Sequence, residues 1–123
     1  MDPTNKINLA VRFFLEITSL VVFAFFGWGF SDGVAGIVLA LGLHIIAAVT
    51  WGVFNVPNDP SMSGKAPIPV PGFVRLLLEF TFFTLAVCAL LFTAQITAAW
   101  LFGLVVCVHY AVSYKRLVWL LHR

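Results

Sequence analysis

Four stretches of this chain are each long and apolar enough to cross a bilayer, and nothing else in the sequence limits its fold so strongly. About 20 apolar residues in a helix span the hydrocarbon core. A spanning segment must also satisfy its own backbone polar groups, which a helix does. The stretches run from about Ile7 to Phe30, Val34 to Phe54, Phe73 to Phe92 and Ile96 to Leu117. The tail from Val118 to Arg123 reads as an extension of the last one. Ser31-Asp32-Gly33 and Thr93-Ala94-Gln95 are short turns. Residues 55–72 hold five of the six prolines and cannot be helical throughout. Only 10% of the chain is charged and 62% is hydrophobic, where soluble domains carry about 25% charge. The expected fold is therefore an all-α membrane protein, a single transmembrane domain over residues 1–123 with four spans. A second sizeable domain, a large transporter and a membrane β-barrel are excluded.

Charge sets the expected orientation. Basic residues collect on the cytoplasmic side of membrane proteins, and Lys6, Arg12, Lys65, Arg75, Lys115, Arg116 and Arg123 all fall at or near one face. Both termini and the proline-rich loop 55–72 are expected to be cytoplasmic. Trp28 and Trp100 suit an outer aromatic belt; Trp51, Tyr114 and Trp119 suit an inner one. The first stretch contains Arg12 and Glu16 and no small-residue cleavage site, so it reads as a retained helix. A net charge of +2, scattered along the chain, excludes nucleic acid as a partner. Cys88 and Cys107 sit in apolar runs without a C-x-x-C spacing and read as small buried hydrophobes.

The chain also repeats itself. Val11-Arg12-Phe13-Phe14-Leu15-Glu16-Ile17-Thr18 matches Val74-Arg75-Leu76-Leu77-Leu78-Glu79-Phe80-Thr81 at an offset of 63 residues. The same offset aligns Ala48-Val49-Thr50-Trp51 with Ala111-Val112-Ser113-Tyr114. It also aligns Gly36-x-x-x-Ala40 with Ala99-x-x-x-Gly103. Each repeat holds two spans, so the hairpins insert in the same direction and are related by a pseudo-two-fold axis along the membrane normal. Small-x-x-x-small spacing allows close helix approach, so the second and fourth helices are expected to cross tightly at that axis.

The Arg-x-x-Leu-Glu of the first helix, Trp51-Gly52-x-Phe54-x-x-Pro57-x-x-Pro60 after the second, and Arg75-x-x-x-Glu79 in the third resemble the YrdB-like family of small bacterial membrane proteins. The resemblance covers most of the chain. It implies a bacterial source and a four-helix architecture, and it supplies no catalytic residues.

The intramembrane charges carry the functional question. Arg12 and Glu16 share a helix face, which Asn5, Asn8 and Ser19 extend. The face should turn inward, because charge against lipid is costly. Arg75 and Glu79 repeat the arrangement. In one reading Arg12 pairs with Glu16 or Glu79 and Arg75 with the other, a closed neutral network that fixes helix register. In the other reading some of these groups meet a ligand, ion or proton. Equal numbers of both signs at local spacing favour neutralisation, whereas ionisable groups inside a membrane are functional by default.

His44, near the middle of the second helix, completes the candidate ligand- or ion-binding set of Arg12, Glu16, Arg75, Glu79 and His44. His109 points away from the face equivalent to that of His44, which disfavours one haem between the two. No cofactor and no metal is expected. His44 reads best as a core histidine bonded to a hydroxyl or a backbone carbonyl, facing Cys107. A proton relay with Glu16 and Glu79 at similar depth is the functional alternative. In the loop, Lys65-Ala66-Pro67-Ile68-Pro69-Val70-Pro71 favours polyproline II, as a stiff connector, a docking strip or a cap over the bundle.

The sequence supports three functions. The first is a small membrane protein that binds or transports a small molecule or ion at the mid-membrane Arg/Glu site. The second is a non-catalytic accessory or assembly protein with structural Arg–Glu pairs. The third is a proton-coupled small multidrug exporter, against which Arg12 beside Glu16 argues. Its partners are the lipid bilayer with a small molecule or proton, a second copy, or a membrane partner protein. No nucleophile–base pair of recognised spacing is present, so the chain is not expected to be an enzyme.

Overall fold

The computed structural model describes residues 5–30 and 32–123. Helix α1 (Lys6–Phe30) begins where the Asn5 side-chain oxygen accepts the backbone N–H groups of Ile7 and Asn8, at 3.0 and 3.2 Å. Asn5 thus caps the helix and does not continue the inward polar face; Asn8, Arg12 and Ser19 do, and all three are buried. Ser31, in the expected turn, lies outside the described residues. Gly33 takes a positive φ of 66° at the start of α2 (Gly33–Val53), which runs antiparallel to α1.

Helix α3 (Gly72–Phe92) follows the loop. Its end is a Schellman closure. Gln95 N–H bonds to the Leu90 carbonyl at 2.9 Å and Ala94 N–H to that of Leu91 at 3.1 Å. Ala94 occupies the left-handed position, at φ 61°, where glycine is the usual residue. The chain then turns into α4 (Ile96–Val112).

The fourth expected helix is not continuous to Leu117. It breaks at Ser113, and α5 (Tyr114–Leu121) leaves at 68° to α4. The Ser113 hydroxyl is buried against the Asn8 side chain of α1, 2.9 Å from its amide nitrogen. The bend turns Arg116 and Leu120, one helical turn apart, into the interior. A straight continuation would carry Arg116 away from the carboxylates it pairs with, and the buried pairing decides the geometry. Helices α1, α2 and α3 are each long and apolar enough to cross a membrane, and α4 with α5 is a fourth candidate as one bent span.

α1 lies against α2, and α3 against α4, while α1 against α3 is the main contact between the two hairpins. The expected tight crossing of α2 with α4 does not form. Their small residues close each hairpin instead. A Cβ on Gly27 of α1 would strike the backbone of Leu39 and Ala40 at 2.7–2.8 Å, and Gly103 faces Val87 of α3. Short turns hold each helix against its hairpin partner, so the close approaches are used there. Helix α3 is the most buried span; α2 buries only Gly36 and Trp51.

The loop is more than a connector. β1 (Phe54–Asn55) pairs in parallel with β2 (Ile68–Pro69), and Val70 N–H bonds to the Asn55 carbonyl at 3.0 Å. This small clasp replaces part of the expected polyproline run and folds the segment between its strands inward, burying Val56 and Asp59. Gly72 then seats α5: its N–H bonds to the Arg123 carbonyl at 3.2 Å, and a Cβ there would collide with the Leu120 backbone.

Candidate functional site

Glu79, on the inner face of α3, has no solvent exposure. Both carboxylate oxygens are saturated. Arg12 reaches across from α1, placing Nη2 2.7 Å from Oε2 and Nη1 3.3 Å from Oε1. Arg75, one turn earlier on α3, donates from Nε to Oε2 at 2.7 Å. Arg116 arrives from α5 with a fork, Nη1 to Oε1 and Nη2 to Oε2, both at 2.8 Å. The Tyr110 hydroxyl of α4 donates to Oε1 at 2.7 Å. Three guanidiniums and a phenol thus converge on one carboxylate, with every partner on a different turn or helix. Charge-assisted and bidentate bonds are the strong ones, and this site contains little else.

The arginines are held from behind as well. Arg75 donates from Nη1 to the carbonyls of Trp51 and Phe54, at 2.7 and 2.9 Å, meeting carbonyls at the C-terminal end of α2 that have no helical partner. Its guanidinium lies 4.5 Å from the centre of the Trp51 ring, and that of Arg12 lies 5.1 Å away. Trp51 is buried, packed on Phe82 and Phe83. It therefore forms the floor of the charge cluster and does not belong to the expected inner aromatic belt. The Met62 sulfur, from the loop, sits about 4 Å from both Arg12 and Arg75.

The loop closes the cluster. Asp59 accepts from Arg116 at Oδ2 (2.7 Å) and Oδ1 (3.2 Å), while Ser61 bonds to Oδ1 through both its backbone N–H and its hydroxyl at 3.0 Å. Burial opposes the charge on Asp59, yet the bonds and charge of Arg116, with those of Ser61, hold its carboxyl below the ordinary value.

The two Arg-x-x-x-Glu segments behave differently here. Arg12 pairs with Glu79 and not with Glu16, and Arg75 pairs with the same Glu79. Among the described residues Glu16 joins no ion pair. It is half-buried, in the field of Arg12 and Arg75, with the Trp51 indole N–H beside it. That N–H closes no well-formed hydrogen bond. The offset explains the difference. The positions matching Tyr110 and Arg116 are Ala47 and Val53, so the first half lacks both donors that complete the site around Glu79. Three buried guanidiniums face two buried carboxylates, and Glu16 is the next negative charge in their field.

His44 stands apart from this cluster. Its Nδ1 lies 3.1 Å from the Leu20 carbonyl of α1, the backbone partner expected of a core histidine. It does not face Cys107, which is exposed. His109 is buried with an unpartnered Nδ1. No grouping of three or more His, Cys, Asp or Glu side chains suited to a metal occurs among the described residues. Sequence reasoning missed Arg116 and Asp59. Arg116 looked like a flanking cation, and Asp59 lies in the proline-rich loop that reads as irregular; the alternation of Arg116 and Leu120 with Lys115 and Val118 was the available sign of a two-faced terminal helix.

Comparison with known proteins places the chain in a family. A family described as "Protein of unknown function (DUF2568)" matches residues 10–107, which takes in all of the cluster except Tyr110 and Arg116. The chain belongs to this family. It is also 38% identical over 123 residues, all of both chains, to "Uncharacterized protein YrdB" of Bacillus subtilis (strain 168). No solved structure matches it.

Proposed function

We propose that the protein is a non-catalytic integral membrane protein of the accessory or assembly kind, and that its Arg–Glu cluster is a structural knot. The observation that carries this reading is the saturation of Glu79 by Arg12, Arg75, Arg116 and Tyr110 with no exposure left. A carboxylate so occupied has no bond to offer a substrate, and the arginines around it direct most of theirs to it, to Asp59 and to carbonyls, while Arg12 Nε is buried without a partner. Buried ion pairs add little net stability over apolar packing, but they fix register. Here they tie α1, α3, α5 and the loop into one arrangement.

The reading takes α4 and α5 as one broken span, giving four. It places the loop and both termini in the cytoplasm of a bacterium, on the distribution of basic residues, and treats the two hairpins as parallel repeats. The central α1–α3 contact and the lesser α1–α4 and α2–α3 contacts support a two-fold arrangement.

A second reading rests on Glu16, a half-buried carboxylate outside the ion-pair network, which suits proton or small-molecule binding coupled to transport. Proteoliposomes holding a pH-sensitive dye separate the two. The accessory reading expects no proton flux above protein-free vesicles, and a stoichiometric membrane partner after mild solubilisation. Flux that disappears in Glu16→Gln would overturn it.

A further inference from the structure

The two hairpins meet along α1 and α3 and diverge elsewhere, leaving an apolar groove of about 500 Å³ between α2 and α3. Phe23, Leu43, Ala47, Val74, Leu78 and Phe82 line it, with Thr50 and Thr81 among the few polar groups. A smaller groove of about 370 Å³ lies between α1 and α4. Its α1 wall is Val11, Phe14, Leu15 and Thr18, the positions 63 residues before the Val74, Leu77, Leu78 and Thr81 wall of the larger one. Both grooves lie along helices long and apolar enough to be spans, counting α4 with α5 as one. A helix is about 10–12 Å across, much thicker than the extended hydrocarbon chain that a groove of this volume admits.

Charge indicates which lipid. The larger groove runs toward the end of the molecule where residues 54–71 join α2 to α3. Lys6, Lys65, Lys115 and Arg123 are exposed at that end. Asp59 is buried there against Arg116, so at that end no Asp or Glu side chain among the described residues is exposed to balance them; the exposed Asp32 lies in the turn between α1 and α2, at the opposite end. Basic groups at the membrane surface attract anionic headgroups.

We propose that the α2–α3 groove binds an acyl chain of an anionic phospholipid, whose headgroup is held by the exposed lysines at the loop end. The site is independent of the Glu79 cluster and of any transport. Native mass spectrometry of the full-length protein in detergent tests it, with phosphatidylglycerol and phosphatidylcholine of identical acyl chains added in equal amounts. One phosphatidylglycerol should be retained about tenfold over phosphatidylcholine. Thr81→Phe, an exposed residue on the groove wall, should remove the adduct, as should Ala47→Phe from the opposite wall. The triple change Lys6→Gln, Lys65→Gln and Lys115→Gln should make the two lipids equal without reducing phosphatidylcholine binding. Equal retention of the lipids by the unaltered protein, an adduct surviving both groove-filling changes, a preference surviving the triple change, or a lipid-free dimer would each overturn the proposal.

Discussion

Replacing Glu79 by Gln removes one negative charge from the centre of three guanidiniums and leaves Asp59 as their only fully buried counter-charge among the described residues. The amide has one acceptor and one donor group where the carboxylate had two acceptors. Turned one way, its NH₂ faces Arg12, Arg75 and Arg116; turned the other, it faces Arg12, Arg116 and the Tyr110 hydroxyl. Each orientation opposes donors to donors. Breaking a single buried pair costs about 3–5 kcal/mol, and this change weakens three. We expect a loss near 5 kcal/mol, comparable to the whole stability of a marginal domain, roughly 5–15 kcal/mol. Glu16→Gln is the matched control, four residues after Arg12 as Glu79 is after Arg75 but outside any ion pair. It should cost about 1 kcal/mol or less, as loosely paired carboxylates do. Unfolding by heat or by increasing SDS, followed by tryptophan fluorescence in micelles, measures both, because Trp51 lies under Arg12 and Arg75. Equal losses in the two variants, or a larger one for Glu16→Gln, would refute the assignment of the cluster to Glu79.

Gly72→Ala should push α5 off the start of α3, since its Cβ would meet the Leu120 backbone; we expect about 1–3 kcal/mol and faster proteolysis after Tyr114. Asp59 has a carboxyl lowered in the folded state, so its contribution is present above the ordinary value of 3.8 and is lost as pH falls through the lower folded value. A melting profile against pH should show this acid limb, and Asp59→Asn should shrink it, leaving the part that comes from Glu79, while lowering stability at neutral pH. Ala94→Gly relieves a left-handed alanine and should raise the melting temperature, by about 1 kcal/mol of stability.

The helices were legible because apolar length signals a span directly, and the inward turn of Asn8, Arg12 and Ser19 followed from their shared face. The pairing was not legible. Local spacing makes Arg12–Glu16 and Arg75–Glu79 look alike, and only the second forms. The choice is made by Tyr110 and Arg116, distant in sequence, which reach Glu79 and not Glu16. Arg116 depends on the bend at Ser113, and serine inside an apolar helix gives no warning of a 68° turn. Asp59 lay in a proline-rich segment whose composition predicts turns but not that the β1–β2 clasp would fold it inward. Trp51 showed the same limit: a tryptophan near a span end reads as a belt residue until a cation is found stacked on it.

The convergence on Glu79 also has a direction in time. A ribosome delivers Arg12 first, Arg75 and Glu79 together, and Arg116 last. When α3 emerges, its carboxylate already has an escort one turn away in Arg75, at 2.7 Å, so it need not enter hydrocarbon as a bare anion. Arg116 can take its place only after α4 has been threaded and α5 has swung back. The final ion pairs therefore act as a latch, engaged only when every preceding segment is in position.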